Sequence, residues 1–125
     1  MDLISITQKR FESTITLTVI VPYFNEVEVL PALHSRLSAV LDSLPDRCEI
    51  IYVDDGSSDG SQQIVENFQS SSSIVRSVSL SRNFGKESAM SAGLEYSRGE
   101  AIVLIDADLQ DPPELIPPML AKWRG

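Results

Sequence analysis

The sequence predicts an α/β protein, a three-layer α/β/α domain built on a parallel sheet. Two observations carry this. Four strand-like runs, one β-branched and two others mostly apolar, are each followed by a stretch that reads as a helix. Each run is also followed at once by a loop dense in Asp, Asn, Ser or Gly, which is where α/β sheets carry their ligands. Four βα units in succession require right-handed crossovers and a parallel sheet.

The first unit opens with Ile15–Val21 (ITLTVIV), a strand ending at Pro22. Tyr23–Val29 is loop, and a helix starting at Leu30 carries Leu33, Leu37, Val40, Leu41 and Leu44 on one face. Pro31 fits only in its first turn, where N–H groups lack intrahelical partners. The second unit is strand Glu49–Val53, the loop DDGSSDG from Asp54 to Gly60, and a helix with Ile64, Val65 and Phe68. Ser57, Ser58 and Asp59 are its candidate N-caps. The third is strand Ile74–Leu80, loop Ser81–Gly85, and helix Lys86–Arg98 closed by Gly99. The fourth is strand Ala101–Ile105, the loop beginning Asp106-Ala107-Asp108, and a helix to about Trp123 that Pro117 and Pro118 restart after one turn. Asp111, ahead of Pro112-Pro113, reads as an N-cap rather than a ligand.

Composition narrows the partners. The chain has 125 residues, 42% of them hydrophobic, enough for one domain with a core. A net charge of −8 leaves no basic face for a nucleic-acid backbone. Cys48 is the sole cysteine, so no disulfide forms within the chain, and it reads as a buried thiol. Residues 1–14 read as an N-terminal leader without the apolar core of a signal peptide, and 15–125 as the functional unit. No stretch approaches the ~20 apolar residues of a spanning helix, so the chain as given reads as soluble and cytoplasmic.

All four loaded loops must gather at the carboxyl edge of the sheet. Neither Gly-x-Gly-x-x-Gly after a strand nor Gly-x-x-x-x-Gly-Lys occurs, which removes dinucleotide and P-loop readings. Clustered carboxylates repel a pyrophosphate: a like-charge pair at 4 Å costs ~1 kcal/mol in bulk water and ~4 kcal/mol at an effective dielectric of 20. Hard carboxylate oxygens suit Mg²⁺ or Mn²⁺, and such a cation reverses that sign and stabilises a diphosphate leaving group. The pattern fits a metal-dependent enzyme that binds a nucleoside diphosphate.

The strings VIVPYFNE, IIYVDDGSSDGS, SLSRNFGKESAMSAGL and VLIDADLQDPPELIP, spanning about Thr18 to Gly125, resemble family 2 glycosyltransferases. Within that family they most resemble the dolichol-phosphate mannose synthase and bactoprenol glucosyltransferase group. The resemblance implies a GT-A fold with a Rossmann-like sheet in the order 3-2-1-4, truncated after its donor-binding half. It implies an inverting hexosyltransferase that uses a UDP- or GDP-sugar, with a polyprenyl or dolichyl phosphate as acceptor. By resemblance Pro22, Phe24 and Glu26 contact the base region, with Phe24 standing where relatives often carry Tyr. Val53 and Asp55 hold base and ribose. Asp106, Ala107, Asp108 and Gln110 meet the diphosphate and metal, with Asp108 and Gln110 as the direct ligands and Asp106 beside them.

The same resemblance implies that the acceptor site, the catalytic base and the diphosphate-gripping basic residues come from about as much chain again as relatives carry after the matched part. It further implies a full-length protein at the cytoplasmic face of a membrane, and residues 1–125 are then expected to lack transfer activity by themselves. It also leaves Ala101–Ile105 as an open sheet edge through which copies self-associate.

Plainer readings stand beside these. Asp54 is equally a structural carboxylate capping loop amides, and Arg82 and Lys86 are as readily solvated cations as diphosphate contacts. His34 reads as a surface or boundary side chain. Asp55-x-Ser57-x-Asp59-Gly60 with Glu66 matches calcium-loop spacing, but a strand precedes it where an EF-hand needs a helix. The rival function is a response-regulator-like phosphoacceptor domain, with Asp54-Asp55 as the acid pair and Asp106 as acceptor. Against it stand the extra leading strand and the missing later lysine strand.

Overall fold

The structure, a computed structural model, describes residues 14–125 apart from Leu109 and Asp111. Most of the leader and the capping role expected of Asp111 therefore lie outside the described residues. Four strands, β1 (Ile15–Tyr23), β2 (Cys48–Asp54), β3 (Val75–Ser79) and β4 (Gly99–Leu104), form one sheet in the order β3-β2-β1-β4. All three strand pairs are parallel. The helices are α1 (Leu30–Asp42), α2 (Ser61–Ser71), α3 (Lys86–Tyr96) and α4 (Ile116–Arg124), with a 3₁₀ turn at Pro113–Leu115 before α4.

Period-two alternation splits the strands between two cores. Leu17, Val19, Val21 and Tyr23 of β1, with Ile50 and Tyr52 of β2, pack under α1, α2 and α4. The α1 contribution is Leu30, Leu33, Leu37 and Leu41, all buried and at helical spacing. The other face, with Ile20, Ile51 and Val53, packs with Ala89 of α3. That helix lies very close to the sheet: a Cβ on Gly93 would stand 2.5 Å from Ile20 Cγ2.

At the amino end of the α3 face a polar layer joins all four strands. Glu49, 1% exposed, accepts from Thr18 Oγ1 at 2.7 Å, from Arg98 N–H at 2.8 Å, and from the guanidinium groups of Arg76 and Arg98 at 2.9 Å. Arg76 also donates to the Tyr96 carbonyl at 2.8 Å, satisfying an orphan acceptor at the end of α3.

Several expectations are corrected. Helix α3 stops at Tyr96, and Gly99 is the first residue of β4 rather than a helix stop. Its N–H donates to Thr18 Oγ1 at 2.8 Å, and a Cβ there would meet Thr18 N at 2.5 Å, so close strand approach is what selects glycine. Gly60 with φ 94° is the N-cap of α2, in place of Ser57, Ser58 or Asp59. Asp59 ties the helix start from outside, accepting Ser61 N–H at 3.0 Å. Strand β1 runs through Pro22 to Tyr23, since Pro22 and Tyr23 pair in register with Val53 and Asp54. Pro117 and Pro118 sit in the first turn of α4, after the 3₁₀ turn, as the sequence reading has them.

Candidate functional site

The carboxyl ends of β1, β2 and β4 and the start of α3 enclose an open cleft of about 210 Å³. Pro22 and Tyr23 come from the end of β1, Phe24 and Glu26 from the loop that follows it, and Asp55 from the loop after β2. Lys86 and Ala89 come from α3, and Asp106, Ala107 and Asp108 from the fourth loop. The structure thus brings together Pro22, Phe24, Glu26, Asp55, Asp106, Ala107 and Asp108, as the sequence reading has them.

Two nominated residues stand elsewhere. Val53 is fully buried in the α3 core, so its side chain packs the sheet and does not line the cleft. Gln110 is exposed and donates its N–H to Asp108 Oδ1 at 3.1 Å.

Next to the cleft, the loops after β1 and β2 are stitched together. Asn25, at φ 53°, receives Ser58 N–H on its side-chain oxygen at 2.8 Å, while its own N–H donates to Ser57 Oγ at 2.9 Å. The next two amides continue the seam: Glu26 N–H donates to Ser61 Oγ at 2.9 Å, and Val27 N–H to Asp59 Oδ2 at 3.2 Å. Phe24 and Glu26 are held at the cleft by this seam. No single motif predicted it, although Asn tolerates the left-handed conformation and the SSDGS string is rich in short acceptors.

A second clamp sets the α3 side. Asp55 Oδ1 accepts from Phe84 N–H at 2.9 Å, and Oδ2 from Gly85 N–H at 3.1 Å. Gly56, at φ +81°, has Arg82 C and Asn83 N each 2.5 Å from where a Cβ would stand. Asp55 is therefore a loop anchor as well as a lining residue. Asp54 follows the structural reading: buried, it accepts Ser57 N–H at 2.8 Å. Arg82 lies over the Phe84 ring at 4.8 Å.

Four carboxylates line the cleft, with Lys86 as its one cation among the described residues. Burial, then Asp108, then Asp59, push the Glu26 carboxyl above its ordinary value. The Tyr23 hydroxyl is pushed up by burial and by Asp54, Glu66 and Asp59. Among the described residues no three His, Cys, Asp or Glu side chains close into a metal cage. The donor set nonetheless fits a hard divalent cation that takes one or two carboxylates and completes its shell from substrate phosphates and water. Asp106 and Asp108 are the residues that would hold it.

His34 is no part of this cleft. It lies on α1, half-buried and stacked on Phe68 of α2 at 3.9 Å, with Nδ1 2.6 Å from the Tyr52 hydroxyl.

Residues 18–125 match the family described as Glycosyl transferase family 2. The chain belongs to glycosyl transferase family 2. It is 50% identical over 112 residues to an uncharacterized glycosyltransferase of Synechocystis, covering 89% of this chain and 35% of that protein. It is 39% identical over 109 residues to the bactoprenol glucosyl transferase of Shigella phage SfV, covering 87% and 36%. Among solved structures it resembles a mannosyltransferase from Pyrobaculum calidifontis in complex with GDP-Man and Mn²⁺. The TM-score is 0.68 at 25% identity, over 85% of this chain and 34% of that one. Staphylococcus aureus TarS 1-349 in complex with UDP-GlcNAc gives 0.67 at 27%, over 75% and 27%.

The fold is that of the GT-A glycosyltransferases, and the family match sets the phosphoacceptor reading aside. The chain spans about a third of the length of these curated relatives, less than the half expected from resemblance. No helix among the described residues is long and apolar enough to cross a membrane.

Proposed function

We propose that this chain is the donor-binding part of an inverting, metal-dependent glycosyltransferase that transfers a hexose from a UDP- or GDP-sugar to a polyprenyl or dolichyl phosphate. The observation that carries it is the convergence of Glu26, Asp55, Asp106 and Asp108 in one cleft beside Lys86. Two family-like structures hold GDP-Man with Mn²⁺ and UDP-GlcNAc, which supports a nucleotide-sugar ligand here. The similarity to bactoprenol glucosyl transferases supports a lipid-phosphate acceptor.

Pro22 and Phe24 form the apolar wall suited to a base, and Glu26 offers it an acceptor. Asp55 offers carboxylate oxygens toward ribose while anchoring the loop before α3. Asp106 and Asp108, with Gln110 on the same loop, form the edge that meets the diphosphate. Bound Mg²⁺ or Mn²⁺ would supply the positive charge that a diphosphate requires among these acids. This chain matches only about a third of its curated relatives, and we expect residues 1–125 alone to bind donor without turning it over. The exposed edge of β4 supports self-association of the isolated part.

A thermal-shift and calorimetric panel of UDP- and GDP-sugars, with and without Mn²⁺, tests the proposal. Stabilisation by one nucleotide class, dependent on Mn²⁺, is expected. Absence of any nucleotide effect, or sugar transfer to a polyprenyl phosphate by residues 1–125 alone, overturns the corresponding part.

A further inference from the structure

Lys86 sits where two opposing demands of the cleft meet. It is the first residue of α3, and its Nζ lies 2.5 Å from Asp106 Oδ1, across the cleft at the end of β4. Both side chains line the cleft, and both keep solvent access, at 58% exposed for Lys86 and 32% for Asp106. Neither is locked by burial, so the pair can open at modest cost. The position of Lys86 is itself fixed, because Asp55 accepts the Phe84 and Gly85 N–H groups immediately before it.

The charge count makes the pairing consequential. Glu26, Asp55, Asp106 and Asp108 share the cleft, and Lys86 partly offsets their mutual repulsion. A divalent cation held by Asp106 and Asp108 would take over that offset and would compete with Lys86 for the Asp106 oxygen. The Lys86 ammonium group, still carried by the start of α3, would then be available to phosphates bound with it.

We propose that Lys86 is an exchange cation: it neutralises Asp106 in the nucleotide-free cleft, yields Asp106 to the metal, and passes to the diphosphate oxygens. This rests on the donor-binding reading above and adds to it a residue with two successive partners. Nucleotide and metal then enter as a coupled pair, because each removes the cost the other would meet alone.

The test compares the wild-type chain with Lys86→Gln, Lys86→Arg and Lys122→Gln, the last making the same charge change on α4, away from the cleft. Mn²⁺ binding alone is followed by the electron spin resonance of free Mn²⁺, and UDP or GDP binding at saturating Mn²⁺ by calorimetry. For Lys86→Gln the expected shifts have opposite signs. Mn²⁺ alone binds ~2–5-fold tighter, the scale of an exposed ion pair. Nucleotide with Mn²⁺ binds ~10-fold weaker or more, the scale of a charged hydrogen bond. Lys86→Arg stays near wild type in both, and Lys122→Gln changes neither.

Tightening of both ligands means that Lys86 only masks Asp106, and overturns the exchange. Weaker nucleotide with unchanged Mn²⁺ makes it a plain phosphate contact and also overturns it, as does no change in either. If the wild-type chain binds Mn²⁺ but neither nucleotide, the donor-binding reading fails. The Mn²⁺ arm alone still decides whether Lys86 competes for Asp106.

Discussion

The Thr18 hydroxyl and the Glu49 carboxylate lie 2.7 Å apart across the central strand pair, where the register sets the two residues directly side by side. Burial pushes the Glu49 carboxyl up, but bonds from Thr18, the Arg98 N–H, Arg76 and the Arg98 guanidinium outweigh it and hold it below its ordinary value of 4.5. A carboxyl held low in the fold contributes stability that is complete above its unfolded value and is lost as pH falls through the folded one. Thermal stability should therefore decline from about pH 5 to pH 3. Glu49→Gln should cost roughly 2 kcal/mol near neutral pH, since Arg76 and Arg98 keep solvent access, and should flatten that acid decline. Melting curves from pH 3 to 7 on both proteins check it; parallel declines would show that other groups govern acid unfolding.

Gly56 and Gly60 both have positive φ, yet their substitutions should differ. At Gly60 the nearest atom to an added Cβ is Val27 Cγ2 at 3.9 Å, so Gly60→Ala meets backbone strain alone, about 1–2 kcal/mol. At Gly56 the added Cβ strikes the Arg82–Asn83 backbone at 2.5 Å, which raises the expected cost to roughly 2–4 kcal/mol. Gly56→Ala should also weaken nucleotide binding, because the loop it displaces ends at Lys86. Equal losses of stability in urea titrations would refute the steric part.

Asp108→Asn keeps the side-chain shape while removing one charge and one hard anionic donor. Mn²⁺-dependent nucleotide binding should fall by about 2–4 kcal/mol, the cost of losing a close charge partner. The fold should barely notice, because Asp108 adds to the repulsion that raises the Glu26 carboxyl. Calorimetry paired with a melting curve separates the two readouts, and unchanged affinity would remove Asp108 from the metal site.

The β4 edge should drive association of this part at high concentration. Ile102 and Leu104 are exposed on it, with Met119 and Trp123 of α4 nearby at 49% and 50% exposed. Ile102→Lys puts a charge on the edge and should shift sedimentation toward monomer. A wild-type chain that sediments as monomer at millimolar concentration would contradict this.

Much of the fold was legible because β1, β2 and β4 each hold a run of apolar residues, β3 mixes apolar and polar ones, and each strand carries its loop chemistry at its carboxyl end. Leu30, Leu33, Leu37 and Leu41 announced α1 by spacing alone. Gly99 misled because a helix stop and a close strand approach both select glycine, and only the position of Thr18 tells them apart. Glu49 gave no warning of its burial, since its partners Arg76 and Arg98 lie 27 and 49 residues away. The cleft residues Pro22, Phe24, Glu26, Asp55, Asp106 and Asp108 were legible as ordered motifs at strand ends. Lys86 was visible, but its pairing with Asp106 depends on how α3 crosses the sheet. His34 is a boundary side chain, as its sequence setting suggested, but its partners Tyr52 and Phe68 meet it only once α1 packs on β2 and α2.

The seam between Asn25–Val27 and Ser57–Ser61 closes segments more than thirty residues apart, through side-chain bonds that are largely open to water. Nearby, Ile20, Ile51 and Val53 are wholly enclosed. The amides of Asn25, Glu26 and Val27 should therefore exchange with solvent deuterium through small local openings, far faster than those of the central strands. A ligand seated on Phe24 and Glu26 would slow those three amides before it changed any in β1 or β2. The seam thus gives the cleft a built-in clock, in which occupancy is read as the lifetime of three hydrogens.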